Sequence, residues 1–214
     1  MSDITKFLDK PTDLDFRSVR VKNFKVEEIL LNRIRQFVEN WHYSKNVNGL
    51  RISYCFGLFY QRELIGAAIY GCLGMANTWK AYGENERDVL ELKRLCCIDK
   101  TPKNTESYFI ARTIKWIKQN TEVKTIISYA DEFYGHQGII YKASNFEYLG
   151  TTSPGRVIHY DGKIFHDKAI RAYQYSNGKK KLKPFAVKLR EKLENGEARY
   201  IPTPGKHIYR YKLR

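Results

Sequence analysis

Two β-rich runs, Arg51–Tyr60 (RISYCFGLFY) and Glu63–Tyr70 (ELIGAAIY), are separated only by Gln61 and Arg62. Runs rich in β-branched and aromatic residues with a two-residue break predict an antiparallel hairpin, and that hairpin limits what the flanking segments can build. Upstream, Val26, Ile29, Leu30, Ile34, Phe37, Val38 and Trp41 recur at helical spacing, which predicts one amphipathic helix over residues 25–43. Residues 71–87 are polar and glycine-containing and read as a loop. Residues 89–98 then read as a strand, with Leu90, Leu92 and Arg94 alternating against Glu91, Lys93 and Leu95. A turn over 99–104 leads to a helix from about Thr105 to Gln119, capped by Asn104 or Thr105, with Glu106 favourably placed in its first turn. Residues 123–129 (VKTIISY) form a buried strand, 138–144 a short helix, and 146–150 open another strand. The order predicts an α/β (α+β) mixed sheet flanked by helices. Its first half is antiparallel, and a right-handed βαβ crossover follows over 89–129.

The charge is unevenly spread. The 214 residues carry 38 Lys and Arg against 23 Asp and Glu, a formal +15. Residues 1–150 hold 22 basic and 18 acidic side chains, whereas 151–214 hold 16 and 5. The chain therefore divides into a nearly neutral core, 1–150, and a basic, aromatic-rich C-terminal extension, 151–214, that completes the fold and contacts a polyanion. Nucleic acid is the leading partner, because each cation that neutralises a phosphate releases condensed counterions. A membrane partner is not expected: the longest apolar stretch, Leu64 to Met75, contains three glycines and falls short of the ~18 residues of a spanning helix. The start MSDITKFLDK lacks the basic flank and apolar run of a signal peptide, so a cytoplasmic protein is expected. Cys55, Cys72, Cys96 and Cys97 lack CxxC spacing and read as reduced, buried small hydrophobes rather than a zinc site. No pattern specifies an oligomeric state.

Several polar residues stand where chemistry is possible. His42 and Tyr43 end the first predicted helix; the imidazole there either sits at the negative helix end, acts as a general base, or ligates a metal. Asp131 lies just past a strand's C-terminal end, where open α/β sheets place ligands, and is followed by a glycine-bracketed loop containing His136. It reads as an acceptor for an amine, a metal ligand, or a turn aspartate. Tyr141 is either a proton-donating or metal-ligating phenol or a core tyrosine. Arg94, inside a mostly apolar strand, needs an anionic or carbonyl partner: Glu63 or Glu91, or a carboxylate or phosphate of a group donor. Ser107 is a second donor-site candidate.

The element order, together with the helix-then-strand stretch GIIYKASNFEYLG over 138–150, resembles the GNAT acyltransferase fold. That resemblance implies a glycine-rich, pyrophosphate-gripping loop before the crossover helix. Here residues 99–107 contain no glycine, which leaves Lys100, Lys103, Asn104 and Ser107 as side-chain donors and argues against ordinary acetyl-coenzyme A binding. More specifically, WHYS (41–44), ELKRL (91–95), PKNTES (102–107), SYAD (128–131), GHQG (135–138), IYKASN (140–145) and PGKHIY (204–209) resemble, in that order, the phage Mom family. The resemblance implies a transferase acting on double-stranded DNA. It would convert the exocyclic amine of adenine to a carbamoylmethyl (glycinamide) derivative that protects phage DNA from host restriction, with the glycinamide donor unidentified. For such a reaction His42, Tyr43, Asp131 and Tyr141 are the candidates at the reacting atoms, and Arg94, Lys103, Asn104 and Ser107 the candidates at the donor. His42, Asp131 and Tyr141 would make a mixed N/O set suited to iron, with His136 able to substitute.

For DNA, Arg171 to Lys183 interleaves aromatics with bases: Tyr173, Tyr175, Lys179, Lys180, Lys181 and Lys183, with an Asn177-Gly178 step expected at a hairpin tip. A second such stretch holds Lys206 and Arg210. Lysines suit phosphates and tyrosines suit an unstacked base. A basic helix is expected over 185–193. Two alternatives remain: a GNAT-shaped nucleic-acid-binding module without catalysis, and an ordinary N-acetyltransferase.

Overall fold

A computed structural model describes residues 14–176 and 178–214, so the N-terminal start discussed above and Asn177 of the Asn-Gly step lie outside the described residues. The chain divides into two compact units. The first comprises residues up to Ala130, His136–Gly150 and His207–Arg214; the second comprises Asp131–Gly135 and Thr151–Lys206.

The first unit is built on a seven-stranded mixed sheet. Strands β1 (Lys25–Glu28), β2 (Ile52–Tyr60), β3 (Glu63–Gly71), β4 (Val89–Cys97), β5 (Thr125–Ala130), β6 (Glu147–Thr151) and β12 (His207–Lys212) lie in the order β1-β2-β3-β4-β5-β12-β6. The β2–β3 hairpin turns at Gln61 and Arg62, whose φ values of 49° and 71° are those of the two-residue turn that matches strand twist. Helix α1 (Leu31–Trp41) buries Ile34, Phe37 and Val38. Helix α2 (Thr105–Asn120) buries Phe109, Ile110, Thr113, Ile114 and Ile117, the face expected of a crossover helix. Helix α3 (Ile139–Ala143) is a single short turn before β6. Phe56, Tyr70, Phe109, Ile117 and Ile126 are almost wholly removed from water, and each such side chain contributes roughly 1.5–3 kcal/mol through burial.

Two local expectations are corrected. Residues 25–28 are not the start of α1 but the edge strand β1, paired antiparallel with β2 from Lys25 opposite Phe59 to Glu28 opposite Phe56. Val26 and Ile29 pack against the core from an extended backbone, because an open sheet edge offers hydrogen bonds that a helix end does not. In β4, the partner of Ile69 is Arg94 and that of Tyr70 is Leu92, so Lys93 is an extra residue in a bulge and the expected alternation breaks there. β4 and β5 are parallel, as expected, with the register running from Val89 opposite Thr125 to Leu92 opposite Ser128. β4 continues beyond that register to Cys97 and β5 to Ala130.

The second unit has its own small sheet, β11 (Arg199–Thr203), β7 (Gly155–Tyr160) and β8 (Lys163–His166), all antiparallel. A separate hairpin pairs β9 (Tyr173–Ser176) with β10 (Lys179–Leu182). Helix α4 (Pro184–Glu194) begins with proline in its first turn, where the missing N–H costs nothing, and buries Ala186 and Leu189. The unit's core is Ile158, Leu189 and Ala198. Among the described residues no helix is long and apolar enough to cross a membrane. The four cysteines are free, Cys55 and Cys96 buried and Cys72 and Cys97 partly exposed.

Candidate functional site

His42 caps the C-terminus of α1, and its ring is almost fully buried at 6% exposure. The Ser44 backbone N–H donates to Nδ1 at 3.1 Å, and the Ser44 hydroxyl lies 2.8 Å from the same nitrogen. An amide can only donate, so Nδ1 accepts and the ring proton sits on Nε2. Burial pushes the imidazole pKa down to about 3, helped by the electrostatic influence of neighbouring Arg94 and His136. At neutral pH His42 is therefore an uncharged ring presenting an Nε2–H donor. Such a ring is a weak proton sink, since an efficient base titrates near the working pH. Tyr43 lies against His42 with ring centroids 4.3 Å apart and against His136 at 4.7 Å.

Arg94 takes neither carboxylate anticipated for it. Its Nε donates to the Asn46 carbonyl at 3.1 Å and its Nη1 to the Lys93 carbonyl at 2.7 Å. Glu91 pairs instead with the bulged Lys93, Oε2 to Nζ at 2.7 Å, with the Lys93 side chain only 4% exposed. Arg94 is desolvated enough for burial to lower its pKa, yet a guanidinium stays protonated. His42, Tyr43, Arg94 and His136 thus form one cluster, a neutral N–H donor, a phenol, a half-buried cation and a second imidazole, that is suited to developing negative charge or a bound anion.

Tyr141 sits in different surroundings. Its ring packs on Phe146 at 5.5 Å and on Tyr209 at 5.3 Å; burial raises its phenol pKa, while a hydrogen bond with Ser128 lowers it. Ser128 Oγ also donates to the Leu92 carbonyl at 3.2 Å, across the last β4–β5 pair. The Tyr209 hydroxyl donates to the Gln137 carbonyl at 2.6 Å, which ties β12 to the loop that carries His136.

Asp131 belongs to the second unit. It caps the short 3-10 turn Glu132–Tyr134 by accepting from the Phe133 N–H at 3.2 Å, and its Oδ2 lies 2.6 Å from Lys206 Nζ. Both the turn role and an ion pair are therefore present in the one carboxylate. As an iron set, His42, Asp131 and Tyr141 do not fit: Nδ1 of His42 is engaged by Ser44, and the Asp131 carboxylate by an ammonium and an amide. Among the described residues no group of three or more His, Cys, Asp or Glu side chains could hold a metal.

The donor-site candidates lie at the start of α2. Asn104 stands at the N-cap with φ 70° but makes no side-chain cap; Thr105 donates to the Pro102 carbonyl at 2.7 Å and Ser107 to the Asn104 carbonyl at 3.1 Å. Lys103 is exposed. Asn104 and Ser107 line a 340 Å³ cavity whose lining also includes Ala143, Ser144 and Asn145, at the end of α3 and just beyond it. Of the DNA candidates, Tyr175 is 78% exposed. Lys180 is its cross-strand partner and holds its Nζ 4.4 Å from the Tyr173 ring. Lys179, Lys181 and Lys183 are exposed. Lys206 is held by Asp131, and Arg210 donates to Glu147 at 2.6 Å. Residue patterns alone did not identify the Glu91–Lys93 pair or Tyr209; a lysine amid the apolar residues of β4 was the available signal for the former.

Over 176 residues the chain is 28% identical to the methylcarbamoylase Mom of Escherichia phage Mu, covering 78% of this chain and 72% of that protein. Solved structures similar to it include a Bacillus subtilis acetyltransferase in complex with CoA, at 13% identity, 90% and 99% coverage and a TM-score of 0.49. Another is an N-acetyltransferase from Staphylococcus aureus, at 11% identity, 90% and 99% coverage and a TM-score of 0.48. Residues 23–213, nearly the whole chain, match the Mom protein family, and the chain belongs to that family.

Proposed function

We propose that this chain is a DNA-modifying transferase that converts the exocyclic amine of adenine in phage DNA to a carbamoylmethyl derivative, protecting that DNA from host restriction. The observation that carries the reading is the family match over residues 23–213, joined by the likeness to the methylcarbamoylase of phage Mu. The amine of a paired adenine shows only its edge in the major groove, and an enzyme that does chemistry on it takes the base out of the stack into a pocket. The exposed Tyr175 and the lysines of β10, Lys179, Lys180 and Lys181, would hold strand and phosphates, with Lys183 beside them. Lys206 and Arg210 would add phosphate contacts where DNA competes for their present carboxylate partners.

At the reaction, the neutral Nε2–H of His42 and the Tyr43 phenol would hydrogen-bond an oxygen of the transferred group. Asp131, exchanging Lys206 for substrate, would accept from the adenine amine as its proton is lost. Tyr141 lines the β4–β5 side through Ser128. Arg94, Lys103, Asn104 and Ser107 would receive the donor's anionic portion.

Expression of the chain in a bacterial host, followed by mass spectrometry of the nucleosides, tests the reading. A deoxyadenosine derivative heavier by a carbamoylmethyl group is expected. Asp131→Ala should abolish it while the protein is still retained on DNA. Only unmodified deoxyadenosine, from cells rich in the wild-type chain, refutes the transferase and leaves a DNA-binding module. Full product from Asp131→Ala removes that residue from the reaction.

A further inference from the structure

In the second unit a 230 Å³ cleft opens between the β7–β8 hairpin and the start of α4. Tyr160 and Phe165 wall it on the sheet side and Phe185 on the helix side, above Leu189. The hairpin turns at Asp161 and Gly162, with φ of 51° and 67°, and sets Lys163 directly across from Tyr160. On α4, Phe185 and Lys188 are three residues apart and so share a face. Lys163 and Lys188 are exposed at the cleft, as is the Asp161 carboxylate. Leu189, 3% exposed, and its neighbours Tyr160 and Phe165 belong to the unit's small core. Phe185, in contrast, is 47% exposed, an aromatic face left to solvent at the mouth of an aromatic slot.

From this arrangement we infer that the cleft binds one unpaired nucleotide of a DNA strand, whose base carries an exocyclic amine. The base enters between the Phe185 ring and the Tyr160–Phe165 wall, an apolar slot that accepts any planar π-face. The two ammonium groups meet the adjoining phosphates. Asp161 accepts a hydrogen bond from the amine of cytosine, adenine or guanine; thymine has only acceptors and an imide N–H and is disfavoured. Two lysines against one carboxylate, on a unit with 13 basic and 7 acidic residues, suit a polyanion. The inference rests on the DNA reading above and adds a grip on the strand apart from the β9–β10 hairpin.

The test measures binding of the full-length chain to fluorescein-labelled oligo(dC) and oligo(dT) by anisotropy, with a labelled hairpin duplex and a polyglutamate peptide alongside. Phe185→Ala should weaken oligo(dC) binding roughly 5- to 150-fold, the loss expected for one stacked base. Lys188→Gln should flatten the salt dependence of oligo(dC) binding by about 0.7 in log–log slope. Asp161→Asn should reduce the preference for oligo(dC) over oligo(dT). Because all three side chains are exposed, each variant should melt like wild type, and Lys188→Gln, at a solvent-facing position, reports independently of Phe185. Wild-type oligo(dC) affinity, slope and preference in all three variants overturns this inference and leaves the DNA reading intact. Failure of the wild-type chain to bind any DNA overturns both. Loss of polyglutamate binding with oligo(dC) binding unchanged also overturns it, and makes the cleft a site for acidic peptide.

Discussion

Gly138→Ala should unsettle the loop between β5 and α3 far more than an ordinary glycine replacement. Gly138 has φ +73°, and a Cβ built there would lie 2.2 Å from Cε2 and 2.5 Å from Cζ of Tyr209. Tyr209 is 1% exposed and is wedged between Tyr141 at 5.3 Å and Tyr148 at 5.4 Å, so the ring has little room to retreat. Three costs combine. The left-handed backbone costs alanine about 1–2 kcal/mol, overpacking about 1–3 kcal/mol, and disturbance of the Tyr209–Gln137 hydrogen bond about 1 kcal/mol. Gly49 supplies the control, since it has φ +74° but nothing within 4 Å of the added carbon; Gly49→Ala carries only the first cost. The difference between the two variants is therefore about 2–4 kcal/mol. At about 2–4 °C of melting temperature per kcal/mol for a chain of this size, Gly138→Ala should melt roughly 4–16 °C below Gly49→Ala in calorimetry. Tyr209→Leu introduced into Gly138→Ala should recover part of the loss in a double-mutant cycle. Equal melting temperatures for the two alanine variants, or no coupling to Tyr209, would refute the argument that this contact holds the His136 loop.

Acid should destabilise the protein through His42. The folded-state pKa is pushed down to about 3 from an ordinary 6.5, so between those values the unfolded chain binds the extra proton. The stability from a neutral His42 is fully present above about pH 6.5 and is lost as pH falls toward 3, by up to about 1.4 kcal/mol per pH unit. Urea midpoints measured from about pH 7 down to about pH 4 should fall more steeply for wild type than for His42→Gln; parallel curves would show that His42 is charged or exposed in the folded state. In the β9–β10 hairpin, replacing Lys179, Lys180 and Lys181 with alanine should reduce the slope of log affinity against log salt for duplex DNA by up to about 2.7, three phosphates' worth. An unchanged slope would remove that hairpin from the interface.

What the residues disclosed, and what they hid, follows from how local each signal is. The β2–β3 hairpin and the β4–α2–β5 crossover carry their instructions within a few residues: a two-residue break, alternation, a helical apolar face. β1 was hidden because Val26 and Ile29 fit the helical period that Ile34, Phe37 and Val38 genuinely follow, and only the neighbouring β2 edge decides between the two conformations. The β12 segment HIYRYK reads in the sequence as basic and aromatic, since Arg210 and Lys212 dominate its pattern, whereas in the fold it is a strand that buries Tyr209. In the candidate site, family motifs singled out His42, Tyr43, Arg94 and Asp131. The partners that set their states lie far away in sequence or depend on local backbone geometry: Ser44 fixes the His42 tautomer, Lys206 holds Asp131, and Lys93 takes the carboxylate expected for Arg94. Patterns along the chain carry residue types, whereas protonation and pairing are properties of the assembled fold.

The position of β12 has a consequence for how the protein comes into being. This strand, pairing His207 with Ala130 and Lys212 with Thr125, separates β5 from β6 in the sheet, although those two strands are synthesised much earlier. Until residues 207–212 emerge from the ribosome, β5 has an open edge and β6 has no neighbour on that side. The nascent sheet would expose unpaired backbone of the kind that recruits other chains. The second unit, whose residues lie almost wholly between β6 and β12, can fold during that interval. Closing the main sheet then waits for contacts 77 to 87 residues apart, and that separation slows it. A chain cut before His207 would lose an interior strand rather than a tail, leaving two open edges in the middle of what should be a continuous sheet.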